Sequence, residues 1–150
     1  METALAIVTA TIIGTMVGVE FCVSFFLNPI VLRLPAGPSL EGQADGARVL
    51  GRAMPPWYVV SLVLTVALAA VTWGTTAAQA SVIAIILFLI NLAMSLAVLV
   101  PVNRRAMRWT ADEHPADWRE QARRWSRVNH IRVALILAAF VLVLVAATSL

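Results

Sequence analysis

ALAIVTATIIGTMVGVEFCVSFFLNPIVL, Ala4 to Leu32, is apolar almost throughout and carries one charged side chain, Glu20. A helix needs about 20 apolar residues to cross the hydrocarbon of a bilayer. Lipid offers no partner to a backbone N–H or C=O, so such a run must be helical. It has no basic segment ahead of it and no small-residue cleavage site after it, which separates it from a cleavable signal peptide. Three further apolar runs follow: Trp57 to about Thr75, Ala80 to Val102, and about Asn129 to Leu150. The predicted fold class is therefore all-α, a polytopic membrane four-helix bundle. It forms one domain over residues 1–150, with spans at about 4–32, 57–75, 80–102 and 129–150.

Composition points to the same solvent. Of 150 residues, 61% are hydrophobic and 13% charged, with mean hydropathy +0.88. A soluble domain carries about a quarter charged residues. All eleven basic residues are arginines, three within 33–52 and eight within 104–132. Arginine gathers in cytoplasmic loops, so segments 33–56 and 103–128 are expected in the cytoplasm and both termini on the other side. The expected location is the bacterial inner membrane. The net charge of +3 and pI near 10.4 then report orientation and contact with anionic lipid headgroups, not a nucleic-acid footprint. The single cysteine, Cys22, forms no internal disulfide.

Pro35-Ala36-Gly37-Pro38 opens the first loop with helix breakers, after which Ser39 to Arg52 is expected as a short interfacial helix ahead of Pro55-Pro56. Trp73-Gly74-Thr75-Thr76 is an uncharged turn. In the second loop, Pro115 suits a first helical turn, and Trp118 and Trp125, seven apart, share a face. That segment is expected to lie at the headgroups and run into span four. Trp57, Trp73, Trp109, Trp118 and Trp125 all read first as interfacial anchors. Gly14 and Gly18 allow close helix approach, either inside the bundle or in a homo-oligomer.

Glu20 is the most informative residue. A carboxylate in mid-span costs several kcal/mol unless it is paired or protonated, and such residues usually serve function. Glu20, Ser24 and Asn28 are four apart and share a helical face. In span two, Tyr58, Ser61, Thr65 and Thr72 lie on one side, as do Asn91 and Ser95 in span three. Asn103 closes that span, and Asn129, His130 and Arg132 stand at the mouth of span four. From Glu20 to Asn28 is about 12 Å, and from Asn91 to Asn103 about 18 Å, at 1.5 Å per residue. The stripes overlap in depth, so a pocket opening toward the arginines is expected, with Glu20 near its floor. For the Ser and Thr positions interhelical hydrogen bonding is the favoured account. Arg132 alone would also fit a side chain snorkelling to the headgroups. Glu20 with His130 is a weak candidate metal pair, because oxygen-rich sites leave no spacing signature.

Gly18-Val19-Glu20, Asn28-Pro29-Ile30, Leu34-Pro35, Met54-Pro55-Pro56-Trp57-Tyr58, Val100-Pro101-Val102-Asn103-Arg104-Arg105 and Asn129-His130-Ile131-Arg132 occur in that order at four-span spacing. In this the chain resembles the anthrone oxygenase-like family of small membrane proteins. The resemblance implies a four-helix bundle. It also implies oxidation of an apolar aromatic, anthrone-like or polyketide substrate with molecular oxygen as co-substrate and no obvious organic cofactor. On this reading Glu20 is a base, and Asn28, Asn103 and Arg132 hold the developing oxyanion, with Asn129 and His130 beside them. Ser24, Tyr58, Ser61, Asn91 and Trp125 are the candidate substrate contacts. One departure stands out: where the family pattern has a histidine three residues before the span-four arginine, this chain has Asn129, and its histidine is His130, about 100° round the helix. That puts histidine-dependent chemistry in doubt here. A non-enzymatic scaffold built on the arginine loop, and a metal-dependent membrane oxidase, are the alternative readings.

Overall fold

The computed structural model describes residues 1–150 and is helical throughout, without strands. Its elements are α1 (Glu2–Cys22), a π-helical turn (Val23–Leu27), α2 (Asn28–Leu32), α3 (Ala36–Val71), α4 (Thr76–Met94), a second π turn (Ser95–Leu99), α5 (Val100–Ala106) and α6 (Trp118–Thr148). Runs 2–32, 36–71, 76–106 and 118–148 are the four helices long and apolar enough to cross a membrane, and the chain reads as an integral membrane protein. α1 packs on α3 and α6, and α4 packs on α3 and α6, so the bundle closes as a ring.

Gly74 adopts φ +89° in the tight turn between α3 and α4, a backbone region that glycine enters without penalty. Thr75 then caps α4, its hydroxyl accepting from the Ala78 N–H at 3.3 Å. The uncharged turn falls where the sequence places it.

The first arginine-bearing segment differs from expectation, whereas the second runs into span four as expected, α6 being one helix from Trp118 to Thr148. Ser39 to Arg52 forms no separate interfacial helix; it is the first part of α3, which continues unbroken through Pro55 and Pro56. A proline ring inside a helix meets the carbonyl four residues earlier. For Pro55 that carbonyl belongs to Gly51, which has no side chain to add to the crowding. The second segment is helical to Ala106 and again from Trp118, so only 107–117 is irregular.

Most of the tryptophans make contacts inside the protein. Trp118 is buried, with the Arg119 guanidinium 4.3 Å from its ring centroid and His114 edge-on to it. Arg119 also donates to the Leu34 carbonyl at 3.0 Å, tying the start of α6 to the α2–α3 turn. Trp57 donates to the Ile12 carbonyl at 3.0 Å, an α3–α1 bond. Trp109 and Trp125 line an internal cavity. Trp73, at the turn, is 77% exposed. In the first turn of α6, Glu120 accepts from Arg123 and Arg124.

The core occupies one half of the bundle. Ile13, Met16, Leu68, Ala84, Ile136, Ala139 and Val143 form one buried cluster, with alanines bringing α4 and α6 close together. Thr9, Thr65 and Thr72 are buried there and return their hydroxyls to the carbonyl one turn back, which satisfies them without an interhelical partner. Gly14 belongs to this half: a Cβ there would lie 2.9 Å from the Phe140 ring. Gly18 is exposed and faces nothing within 4 Å. Gly14 therefore serves the bundle interior.

Candidate active site

Toward the arginine-bearing end the bundle is hollow. A cavity of about 480 Å³ lies between all four spans, and 21 of its 33 lining residues are hydrophobic. That volume falls in the range of sites for drug-sized molecules. Its walls are Val23, Leu27 and Val31 on one side, Gly42 to Leu62 of α3 on another, Leu92 to Asn103 on the third, and Ala122 to Arg132 of α6 on the fourth. Glu20, Tyr58, Phe88 and Arg132 stand where the hollow half meets the packed half.

Both π turns lie in the cavity wall. Pro29 and Pro101 each follow one by two residues. A helical proline displaces the carbonyl four residues earlier, here Phe25 and Ala97, and the widened turn accommodates it.

Arg132 organises the inner end. Its Nε donates to Asn91 Oδ1 at 2.7 Å and its Nη1 to Asn129 Oδ1 at 3.0 Å. Nη2 donates both to Glu20 Oε1, in an ion pair, and to Tyr58 Oη at 2.7 Å. Tyr58 Oη donates in turn to Glu20 Oε1 at 3.4 Å. Asn91 Nδ2 also donates to the backbone carbonyl of Arg132 at 3.1 Å, so one amide holds both ends of the arginine. Asn129 Nδ2 donates to Ser24 Oγ at 3.1 Å. Glu20 and Arg132 are 6% and 7% exposed. Taking a lone charge out of water costs several kcal/mol, and each of these charges offsets the other's penalty. Arg132 does not snorkel. Glu20 Oε2 makes no hydrogen bond within the chain, and Glu20 lines the cavity.

The site residues expected from sequence divide into three groups. Glu20, Asn28, Tyr58, Asn103, Trp125, Asn129 and Arg132 line the cavity. Ser24 and Asn91 are fully buried behind it and hold Asn129 and Arg132, so they support the site without facing a ligand. Ser61 contacts Met16 Sδ at 3.7 Å in the packed half, and His130 turns away. The His130 ring stacks on Phe25 with centroids 4.5 Å apart, and its Nε2 is 3.3 Å from the Ser24 carbonyl. As a pair for a metal, Glu20 and His130 are not brought together: Glu20 is engaged by Arg132, and no group of three His, Cys, Asp or Glu side chains converges anywhere in the chain. Sequence reasoning missed Phe88, which packs edge-on to Tyr58 at 6.3 Å, and the Gly42, Gly46, Gly51 wall of α3. Gly42 and Gly46 at four-residue spacing were the available signal for that wall.

Fold and site together define a polytopic membrane protein with a buried ion-paired cluster at the end of an apolar cavity. The family model described as anthrone oxygenase matches residues 46–142, well over half of the chain, and the protein belongs to that family. The matched stretch contains Tyr58, Asn91, Asn103, Asn129 and Arg132; Glu20 and Asn28 precede it. No curated protein and no solved structure matches the chain.

Proposed function

We propose that the protein is a membrane oxygenase that converts a planar aromatic ketone of the anthrone type to the quinone with dioxygen. The substrate enters from the arginine-bearing, cytoplasmic side of a bacterial inner membrane. The observation that carries this reading is the Glu20–Arg132–Tyr58 cluster at the inner end of an apolar cavity. Family membership supports it.

The chemistry requires a base and a place for negative charge. Glu20 Oε2 takes a proton from the ring methylene of the substrate. The electron pair left behind is delocalised onto the ketone oxygen, where Arg132 and Tyr58 stabilise it. The carbanion reduces dioxygen and forms a C–O bond, and the proton returns to the outer oxygen to give a hydroperoxide. Loss of the second methylene proton breaks the O–O bond and forms the new carbonyl, and the departing hydroxide leaves as water. One dioxygen is consumed per quinone and per water formed. Asn91 and Asn129 position Arg132.

The test uses purified protein in lipid nanodiscs with anthrone in an oxygen electrode. Expected are dioxygen uptake matching quinone formation one to one, and a loss of about 100-fold or more in turnover in Glu20→Gln. No uptake above that of empty discs refutes the oxygenase reading. Full turnover in Glu20→Gln removes Glu20 as the base.

A further inference from the structure

Three buried side-chain polar atoms in the chain lack a hydrogen-bond partner: Asn28 Nδ2, Trp125 Nε1 and Ser81 Oγ. Two of these, on different helices, belong to residues lining the same cavity. Both are N–H donors, and an indole nitrogen can only donate. A buried donor left unpaired is unfavourable enough that folded proteins keep few of them. The rest of the Asn28 side chain makes no hydrogen bond within the chain either, nor does that of Asn103, which lines the same end on α5. The neighbouring polar side chains in that wall are already engaged: Gln43 donates to Ser39, and Ser126 donates to the Ala122 carbonyl.

Depth separates this group from the ion-paired cluster. Asn28 follows Glu20 by eight residues and Trp125 precedes Arg132 by seven, so each lies about 10–12 Å along its helix from the inner end. Between the two levels the wall is apolar, with Val23, Leu27, Met54, Leu96 and Leu99.

We infer that the cavity has a second polar station, made by Trp125 Nε1 and the Asn28 amide with Asn103 beside them, that takes a carbonyl or phenolic oxygen at the outer end of the ligand. The inference rests on the reading above that the cavity holds an aromatic molecule. The ligand it selects is about 10 Å long, apolar along its middle, and bears an oxygen at each end. One oxygen meets Arg132 and Tyr58, and the other meets the indole and the amide. A hydrocarbon of the same shape fills the apolar length but leaves both donors unpaired.

The experiment compares 2,6-dihydroxyanthraquinone, whose two phenolic oxygens stand at opposite ends of the long axis, with anthracene, the same three-ring frame without oxygen. Binding is measured by equilibrium dialysis against protein in nanodiscs, with empty discs subtracted. Trp125→Phe keeps the ring and removes only the donor; Asn28→Leu keeps the approximate volume. Each is expected to weaken the quinone about tenfold and to leave anthracene unchanged. The anthracene value also reports whether each variant retains the folded cavity. Quinone affinity that is unchanged in both variants overturns the outer station while leaving the oxygenase reading intact. Equal losses for quinone and anthracene also overturn it, because the residues then act through shape alone. If wild-type protein binds neither probe above empty discs, the aromatic-ligand reading and the station fall together.

Discussion

Arg132→Met should be the most damaging single substitution in the chain. It removes the guanidinium and leaves the Glu20 carboxyl buried at 6% exposure with only the Tyr58 hydroxyl for company. Breaking one side of a buried ion pair costs about 3–5 kcal/mol, mostly through the stranded partner. It also frees the Asn91 and Asn129 oxygens that Arg132 engages. For a chain of this size, such a loss corresponds to a fall in thermal midpoint of about 10 °C or more. Adding Glu20→Gln to Arg132→Met should recover much of it, since no net charge then remains buried. Intrinsic tryptophan fluorescence during heating of the detergent-solubilised protein reads both effects. An Arg132→Met protein as stable as wild type would mean that the carboxyl is not held inside the bundle.

Gly46→Phe should do the opposite: spare the fold and abolish ligand binding. Gly46 lines the cavity, and a Cβ added there meets nothing within 4 Å. The new ring has only the cavity to occupy. Replacing glycine within a helix also tends to stabilise it, by up to about 1 kcal/mol. A single methylene in an apolar pocket changes selectivity by about 10–200-fold, and a whole ring should exceed the lower bound for any three-ring ligand. Gly18→Leu is the matched control, because Gly18 has equal room but faces outward. Binding lost in Gly46→Phe and kept in Gly18→Leu, with both proteins melting like wild type, places the ligand in this cavity. Binding kept in both removes it from there.

The helical bundle was legible because lipid constrains sequence so strongly. Four apolar runs interrupted by arginine-bearing segments admit few other folds. Glu20 was legible for the same reason, since a carboxyl in mid-span has to find a partner inside the protein. The identity of that partner was harder to read. Arg132 has the length to snorkel, and only packing reveals that Asn91 and Asn129 pull it inward instead. Helical period placed Asn129 and Arg132 on one face and His130 on another, and the structure has that arrangement. Period could not separate Ser24 and Asn91 from cavity-facing residues. The π turns at Val23–Leu27 and Ser95–Leu99 change the register near those positions, and a stripe drawn with 3.6 residues per turn drifts off the true face. The run Ser39–Arg52 misled because Pro55-Pro56 looks like a helix end. Continuity of α3 comes from tertiary packing around the cavity, which local propensity does not encode.

The most direct test of the central claim is an experimental structure of the protein in nanodiscs with 2,6-dihydroxyanthraquinone bound. Expected is the ring system lying lengthwise between Leu27, Met54 and Leu99, with one oxygen within hydrogen-bond distance of Arg132 or Tyr58 and the Glu20–Arg132 pair intact. A ligand seated on the lipid-facing surface, or a filled interior with Glu20 turned away from Arg132, would contradict it.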